Sequence, residues 1–276
     1  MRNAARQANA KFARGLARAF AGAVIFGLPL LMTMEMWWLG FHMQPHRLAL
    51  LLALFFPFLV LLSWHSGFEP TFSWRDDVVD ALVAFAVGIA SSLLILSAIG
   101  ALAPGMAWPE IIGKVSLQAV PASMGALLAQ TQLGEREEPR AARGGAEAYA
   151  SELFVMAAGA VFLAFNLAPT DEMMVIALQV TQWHAIALMV MAMAAMHAFV
   201  YALAFRGTHP IPGGASGLSI FLRFTVTGYA LVLLLCAWML WSFGRFDGLA
   251  VLHVVKSVVV LAFPAAIGAA AARLIL

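Results

Sequence analysis

The chain has 276 residues, of which 63% are hydrophobic and 11% charged, and its formal net charge at pH 7 is +2. An ordinary soluble domain is roughly 45 to 50% apolar and about 25% charged, so this composition excludes a soluble globular protein. The small net charge argues against a nucleic-acid partner. The single cysteine, Cys236, excludes a disulfide framework and a thiolate metal cluster.

Apolar runs of about 20 residues recur along the whole chain, and each can cross a hydrocarbon core of roughly 30 Å as a helix. We therefore predict an all-α polytopic protein of the lipid bilayer. Its eight predicted transmembrane helices cover residues 19–41, 48–64, 79–102, 110–130, 152–177, 184–205, 218–243 and 250–275. The first run exceeds the apolar core of a cleaved signal peptide, usually about 7 to 15 residues, so we expect it to be retained.

Lys and Arg near the ends of the spans predict the orientation. On the eight-span arrangement, the basic residues before span 1, after spans 2, 4 and 6, and at the end of span 8 all fall on one side. The other side carries Arg47 and Arg245, with Lys114 and Lys256 just inside spans 4 and 8. This bias predicts that both termini are cytoplasmic in a bacterial inner membrane.

Two pairs of segments indicate an internal duplication. Residues 21–36 and 158–173 are identical at 8 of 16 positions, and residues 115–129 and 258–272 at 7 of 15. Each half has an even number of spans, so we predict two parallel four-helix repeats. The predicted domains are a basic cytoplasmic segment (1–18), the first repeat (19–130), a cytoplasmic linker (131–150) and the second repeat (151–276).

The duplicated segments each carry a glutamate near the end of an apolar run, Glu35 and Glu172. An ionisable group inside a span costs about 2.5 to 3.5 kcal/mol on insertion scales, and it usually faces a bundle interior or a wet cavity. We predict that these carboxylates bind a cation or a proton. Thr33, Asn166 and Asp171 supply further oxygen ligands nearby.

Prolines within the spans predict broken helices, because proline removes a backbone hydrogen bond. The predicted breaks lie at Pro29 and Pro169 beside the glutamates, and at the repeated Pro121 and Pro264. After Pro169, Thr170 is a candidate N-cap for a short helix over about 171–180. Carbonyls freed at such breaks are typical cation ligands.

Several polar residues allow more than one interpretation. Lys114 and Lys256 are predicted charge partners of the two glutamates, either as structural ion pairs, as competing charges at a cation site, or as an anion site.

Asp80 and Arg223 form a candidate inner gate, while the neighbouring Asp76 and Asp77 are expected to be solvated. His197 is a candidate proton relay or one end of a helix-helix hydrogen bond. A polar stripe on span 4 is absent from span 8; it comprises Ser116, Gln118 and Ser123.

The stretches "LPLLMTMEMWWLG", "GFEPTFSW", "QAVPASMGALLAQ" and "FNLAPTDEM" resemble a bacterial family of integral membrane proteins known as a domain of unknown function. The resemblance covers residues 15–276. It implies the membrane class and transfers no catalytic or binding residue.

The preferred interpretation is a transporter or channel for a small cation or proton that uses the paired glutamates at the broken helices. The alternative is a membrane scaffold or sensor in which the Glu and Lys pairs are structural. We expect no enzymatic activity and no cofactor, because no nucleophile with a matching base is found. Small residues in "AAIGAAAAR" would permit close helix contacts, either within the chain or in a homo-oligomer.

Overall fold

A computed structural model describes residues 2–66, 73–133, 145–199, 218 and 221–275. Every regular element in these ranges is helical, which confirms the all-α prediction. The elements are α1 (Arg2–Leu31), α2 (Met34–His42), α3 (Pro45–Ser66), α4 (Trp74–Ala98), α5 (Trp108–Leu133), α6 (Gly145–Leu167), α7 (Asp171–Gln179), α8 (Gln182–His197), a π-helical turn (Phe221–Val226), α9 (Thr227–Ser242) and α10 (Val251–Ile275).

Seven helical segments of the described chain are long and apolar enough to cross a membrane, which confirms a multi-pass protein. They lie in α1, α3, α4, α5, α6, the π turn with α9, and α10. The short α7 and α8 pass the same test only as a pair, and they are bent by 117° at the residues between them. The number of spans is therefore seven, or eight if the bent pair is one span.

The predicted spans 19–41 and 152–177 are not single helices. In the first, α1 ends at Leu31 and α2 begins at Met34, with Thr33 in extended backbone (φ −93°, ψ 115°). In the second, α6 ends at Leu167 and α7 begins at Asp171, with Thr170 at the N-cap position. The short second helix predicted after Pro169 is therefore present. Span 1 is also broken, but Pro29 lies inside α1 and the break comes at Met32 and Thr33, after the predicted position.

The predicted breaks at Pro121 and Pro264 are wrong, because α5 and α10 continue through both prolines. A proline costs a helix one hydrogen bond, yet packing against neighbouring helices can hold the flanking turns in place. Both helices have such neighbours. Ala122 and Ala265, which follow the two prolines, are fully buried.

The chain forms two compact units, Met1–Glu138 and Pro139–Leu276. In the first unit α5 is central and contacts α1, α2, α3 and α4. In the second unit α10 is central and contacts α6, α7, α8 and α9. Each unit thus buries one helix among the others.

Pairs of glycines allow the closest helix crossings. In the first unit, a methyl group on Gly125 of α5 would lie 2.5 Å from the carbonyl oxygen of Gly22 in α1 and 2.6 Å from Cβ of Phe26. In the second unit, Gly268 of α10 meets the carbonyl oxygen of Gly159 in α6 in the same way. Only glycine permits backbones to approach this closely, as in other small-residue crossings within membranes.

Candidate functional site

The break between α1 and α2 is closed by side chains. The hydroxyl of Thr33 donates to the carbonyl of Pro29 (2.6 Å), the amide of Gln118 to that of Leu30 (3.0 Å), and the indole of Trp37 to that of Leu31 (2.8 Å). A carbonyl at a helix end normally needs such a donor when water is excluded. The carbonyls predicted as cation ligands in this unit therefore already accept hydrogen bonds from the protein.

Lys114 does not pair with Glu35, so that prediction is wrong. Its ammonium group lies 2.6 Å from a carboxylate oxygen of Glu110, four residues earlier on α5, and donates to the carbonyl of Ala101 (3.2 Å). Residues four apart lie on one face of a helix, so this partner is reached without bringing two helices together. Lys114 is 9% exposed, and the pair forms a charged cluster where the α4–α5 loop meets α5.

Glu35 is half-buried in the first turn of α2, and Glu172 is exposed in the first turn of α7. Neither side chain forms a hydrogen bond or ion pair with another described residue. An acid in the first helical turn is stabilised by the helix dipole, which gives both glutamates a local structural role after the break. Lys256, the predicted partner of Glu172, is 8% exposed and likewise makes no ion pair within the described chain.

In the second unit, Arg245 from the loop between α9 and α10 holds the break between α6 and α7. Its guanidinium lies 2.8 Å from a carboxylate oxygen of Asp171 and also donates to the carbonyl of Pro169. The predicted ligand Asn166 donates instead to the carbonyl of Phe162 (2.7 Å). Asp171 is exposed, and its carboxylate anchors Arg245 through this ion pair.

Arg245→Met is expected to loosen α7 with little effect on the rest of the unit. The variant loses a charge-assisted hydrogen bond and a bond to a helix-end carbonyl, which we expect to cost about 2 kcal/mol of local stability. Hydrogen exchange of the amides in α7 should then rise, while amides in the buried part of α10 keep their rates. Asp171→Asn keeps an acceptor and should show a smaller rise. Unchanged exchange in α7 would contradict the role of Arg245.

Several polar side chains on α4 and α5 of the first unit are buried. Asp77, at the start of α4, is 5% exposed and one of its carboxylate oxygens has no hydrogen-bond partner among the described residues. The hydroxyl of Ser92 and the side-chain carbonyl of Gln118 are also buried without a partner there. Asp77 and Ser92 are 15 residues apart on α4, or roughly 22 Å along the helix axis.

The burial of Asp77 overturns the prediction that it is solvated. Its neighbour Asp76 is exposed, as predicted, and accepts a hydrogen bond from the backbone of Ser73 (3.1 Å) that caps α4. The two acids differ because consecutive residues on a helix point about 100° apart, so only one of them faces the packed side. The apolar pattern of α4 gave no signal that Asp77 would take that side.

The two residues of the predicted inner gate belong to different units. Asp80 lies half-buried on α4, and Arg223 lies exposed in the π turn of the second unit. The guanidinium of Arg223 lies over the ring of Tyr149, 4.6 Å from its centroid. His197 lies with its Nδ1 3.1 Å from the hydroxyl of Thr225, which is buried, so it makes a hydrogen bond between helices; its role as a proton relay stays a prediction.

Four further residues were missed by the sequence reasoning. Glu110 could have been recognised because it precedes Lys114 by four residues on one helix. No local sequence signal points to Arg245. Glu152 and Arg273 form an ion pair of 3.1 Å between α6 and α10, with side chains 15% and 11% exposed. Within the described ranges, no group of three His, Cys, Asp or Glu side chains is arranged to hold a metal ion.

The comparisons with known proteins place the chain at the level of a family. Residues 15–276 match the model of the family described as "Putative integral membrane protein (DUF2391)". No curated protein and no solved structure matches the chain. The helical bundle, its apolar spans and this match over nearly the whole length agree, and the chain belongs to the DUF2391 family of integral membrane proteins.

Proposed function

We propose that the protein is a non-enzymatic transporter or channel for a small cation or proton, built from two parallel four-helix repeats in a bacterial inner membrane with both termini cytoplasmic. The observation that carries this proposal is a buried carboxylate oxygen of Asp77, in the first unit, that has no hydrogen-bond partner among the described residues. An acid is costly inside a membrane protein, and such groups commonly mark ion or proton pathways.

The polar series supports a path through the first unit. Asp77 stands near one end of α4, Ser92 lies well along that helix, and Gln118 lies on α5 beside the break of α1. The Glu110–Lys114 ion pair lies on the same helix, with Lys114 one turn before Gln118. Unpartnered oxygen atoms along this series can accept a hydrogen bond from water or contact a cation, which apolar side chains cannot do.

The repeat is supported by the glycine crossings. Gly22 and Gly159 are 137 positions apart, and Gly125 and Gly268 are 143 apart, the same offsets as the duplicated sequences. The corresponding crossings would thus derive from one ancestral unit. Span 4 keeps Gln118 and Ser123 where span 8 has Leu261 and Ala266, which favours the first unit as the path.

The test is ion and proton flux into liposomes that contain the purified protein, under an imposed potential and with a panel of monovalent and divalent cations. Asp77→Asn is expected to lower the flux at least tenfold, because the amide cannot carry the negative charge. Asp76→Asn makes the same change at the adjacent exposed position and should retain most of the flux. Both variants must elute as single species with similar melting temperatures.

In this proposal, Glu35 and Glu172 are the acids at which the ion enters or leaves the protein. The double variant Glu35→Gln and Glu172→Gln is therefore expected to lower the flux, though less than Asp77→Asn because both side chains contact solvent or lipid. No flux from well-folded wild-type protein under any gradient would instead favour the scaffold or sensor. Equal flux from wild type and Asp77→Asn would remove Asp77 from the path.

A further inference from the structure

Arg223 is held in a fixed orientation by Tyr149. The guanidinium carbon of Arg223 lies over the Tyr149 ring, 4.6 Å from its centroid, and the hydroxyl of Tyr149 donates to the carbonyl of the same arginine (2.7 Å). The Tyr149 ring also packs edge-on against Phe224 at 5.3 Å between centroids. One aromatic residue thus fixes both the backbone and the side chain of Arg223.

The donors of this guanidinium are unused within the described chain. Arg223 is exposed, and its N–H groups form no ion pair or hydrogen bond with a described residue. The nearby Arg273, 5.3 Å from the Phe224 ring centroid, is instead paired with Glu152. Among the described residues, Arg223 is therefore a positive charge of the second unit that has no ion-pair partner.

Exposed apolar side chains flank Arg223 along the chain. Leu222 and Val226 lie four residues apart in the π turn and are 52% and 36% exposed. Leu218, four residues before Leu222 in the sequence, is 68% exposed. In a membrane protein such side chains contact acyl chains, while an arginine at the end of a span reaches the headgroup level.

We propose that Arg223, clamped by Tyr149, binds the phosphate of an anionic phospholipid whose acyl chains lie along Leu222 and Val226. A guanidinium offers two parallel N–H donors to a phosphate, and a pre-oriented one loses less entropy on binding than a free side chain. An anionic lipid is favoured over a zwitterionic one because no headgroup cation then competes with the arginine. The site lies in the second unit, whereas the path proposed above lies in the first.

The test titrates the purified full-length protein with phosphatidylglycerol or phosphatidylcholine and counts bound lipid by native mass spectrometry. The wild type should prefer phosphatidylglycerol, and Arg223→Gln should weaken its binding about tenfold, since a charge-assisted hydrogen bond is lost. Arg223→Lys keeps the charge without the two-pronged donor and should give an intermediate affinity. Tyr149→Phe keeps the ring but frees the backbone, and it should also weaken binding.

Arg75→Gln is the matched control, because Arg75 is an exposed arginine on α4 with its guanidinium carbon 5.9 Å from the Trp74 ring centroid. This variant should keep the preference of the wild type for phosphatidylglycerol over phosphatidylcholine. If Arg75→Gln and Arg223→Gln weakened phosphatidylglycerol binding equally, the lipid would be attracted by positive charge in general, and the proposal of a site at Arg223 would be wrong. Full competition by inorganic phosphate would assign the site to a soluble anion and overturn the lipid assignment. Retained melting temperature in phosphatidylcholine confirms that the Arg223 variants are folded.

Discussion

Gly125→Val is expected to destabilise the first unit strongly. A methyl group at this position would already lie 2.5 Å from the carbonyl oxygen of Gly22 and 2.6 Å from Cβ of Phe26. Backbone and Cβ atoms cannot turn aside as the end of a flexible side chain can, so α1 and α5 must separate. Overpacking of a close contact costs about 1 to 3 kcal/mol, and we expect a loss at the upper end of that range.

The measurement is equilibrium unfolding in mixed SDS micelles, with the yield of monodisperse protein as a second readout. Gly15→Val is the matched control, because a methyl group on Gly15 of α1 would have no neighbour within 4 Å. It should change stability by only a few tenths of a kcal/mol, in the stabilising direction, because valine has a slightly higher helix propensity than glycine. Equal stability of the two variants would show that the helices can separate at little cost.

Arg273→Met is expected to destabilise the second unit by about 3 kcal/mol. The substitution leaves the carboxylate of Glu152, whose side chain is 15% exposed, without the guanidinium that lies 3.1 Å away. Removing one member of a buried ion pair costs more than the pair contributes, because the remaining charge keeps its desolvation penalty. The same substitution also removes the cation that lies 5.3 Å from the Phe224 ring centroid.

The double variant Glu152→Leu and Arg273→Met separates these effects. It removes both charges and should recover most of the lost stability, to within about 1 kcal/mol of the wild type. The same unfolding measurement applies to both variants. If the double variant is as unstable as Arg273→Met alone, the packing of Arg273 matters more than its charge.

The membrane class and one helix break were predictable because local chemistry decides them. Apolar runs of sufficient length must be helical in a bilayer, since backbone groups find no water there. The break before Asp171 follows from Pro169 and from a threonine followed by acids, which start a helix wherever they occur. Pro121 and Pro264 carried only the proline part of this signal, and α5 and α10 continue through them among the neighbouring helices.

The amino-acid sequence by itself thus determined that the chain is a multi-pass helical membrane protein and that α7 is a separate short helix. Only the tertiary structure decided which charges meet and which are buried. Lys114 pairs with Glu110 on its own helix. Arg245, in a loop distant in sequence, binds Asp171 and the carbonyl of Pro169. Asp77 is buried, whereas its neighbour Asp76 is exposed. The physical reason is that charge and polarity belong to a residue type, whereas burial and pairing depend on which helix face packs and on what lies opposite.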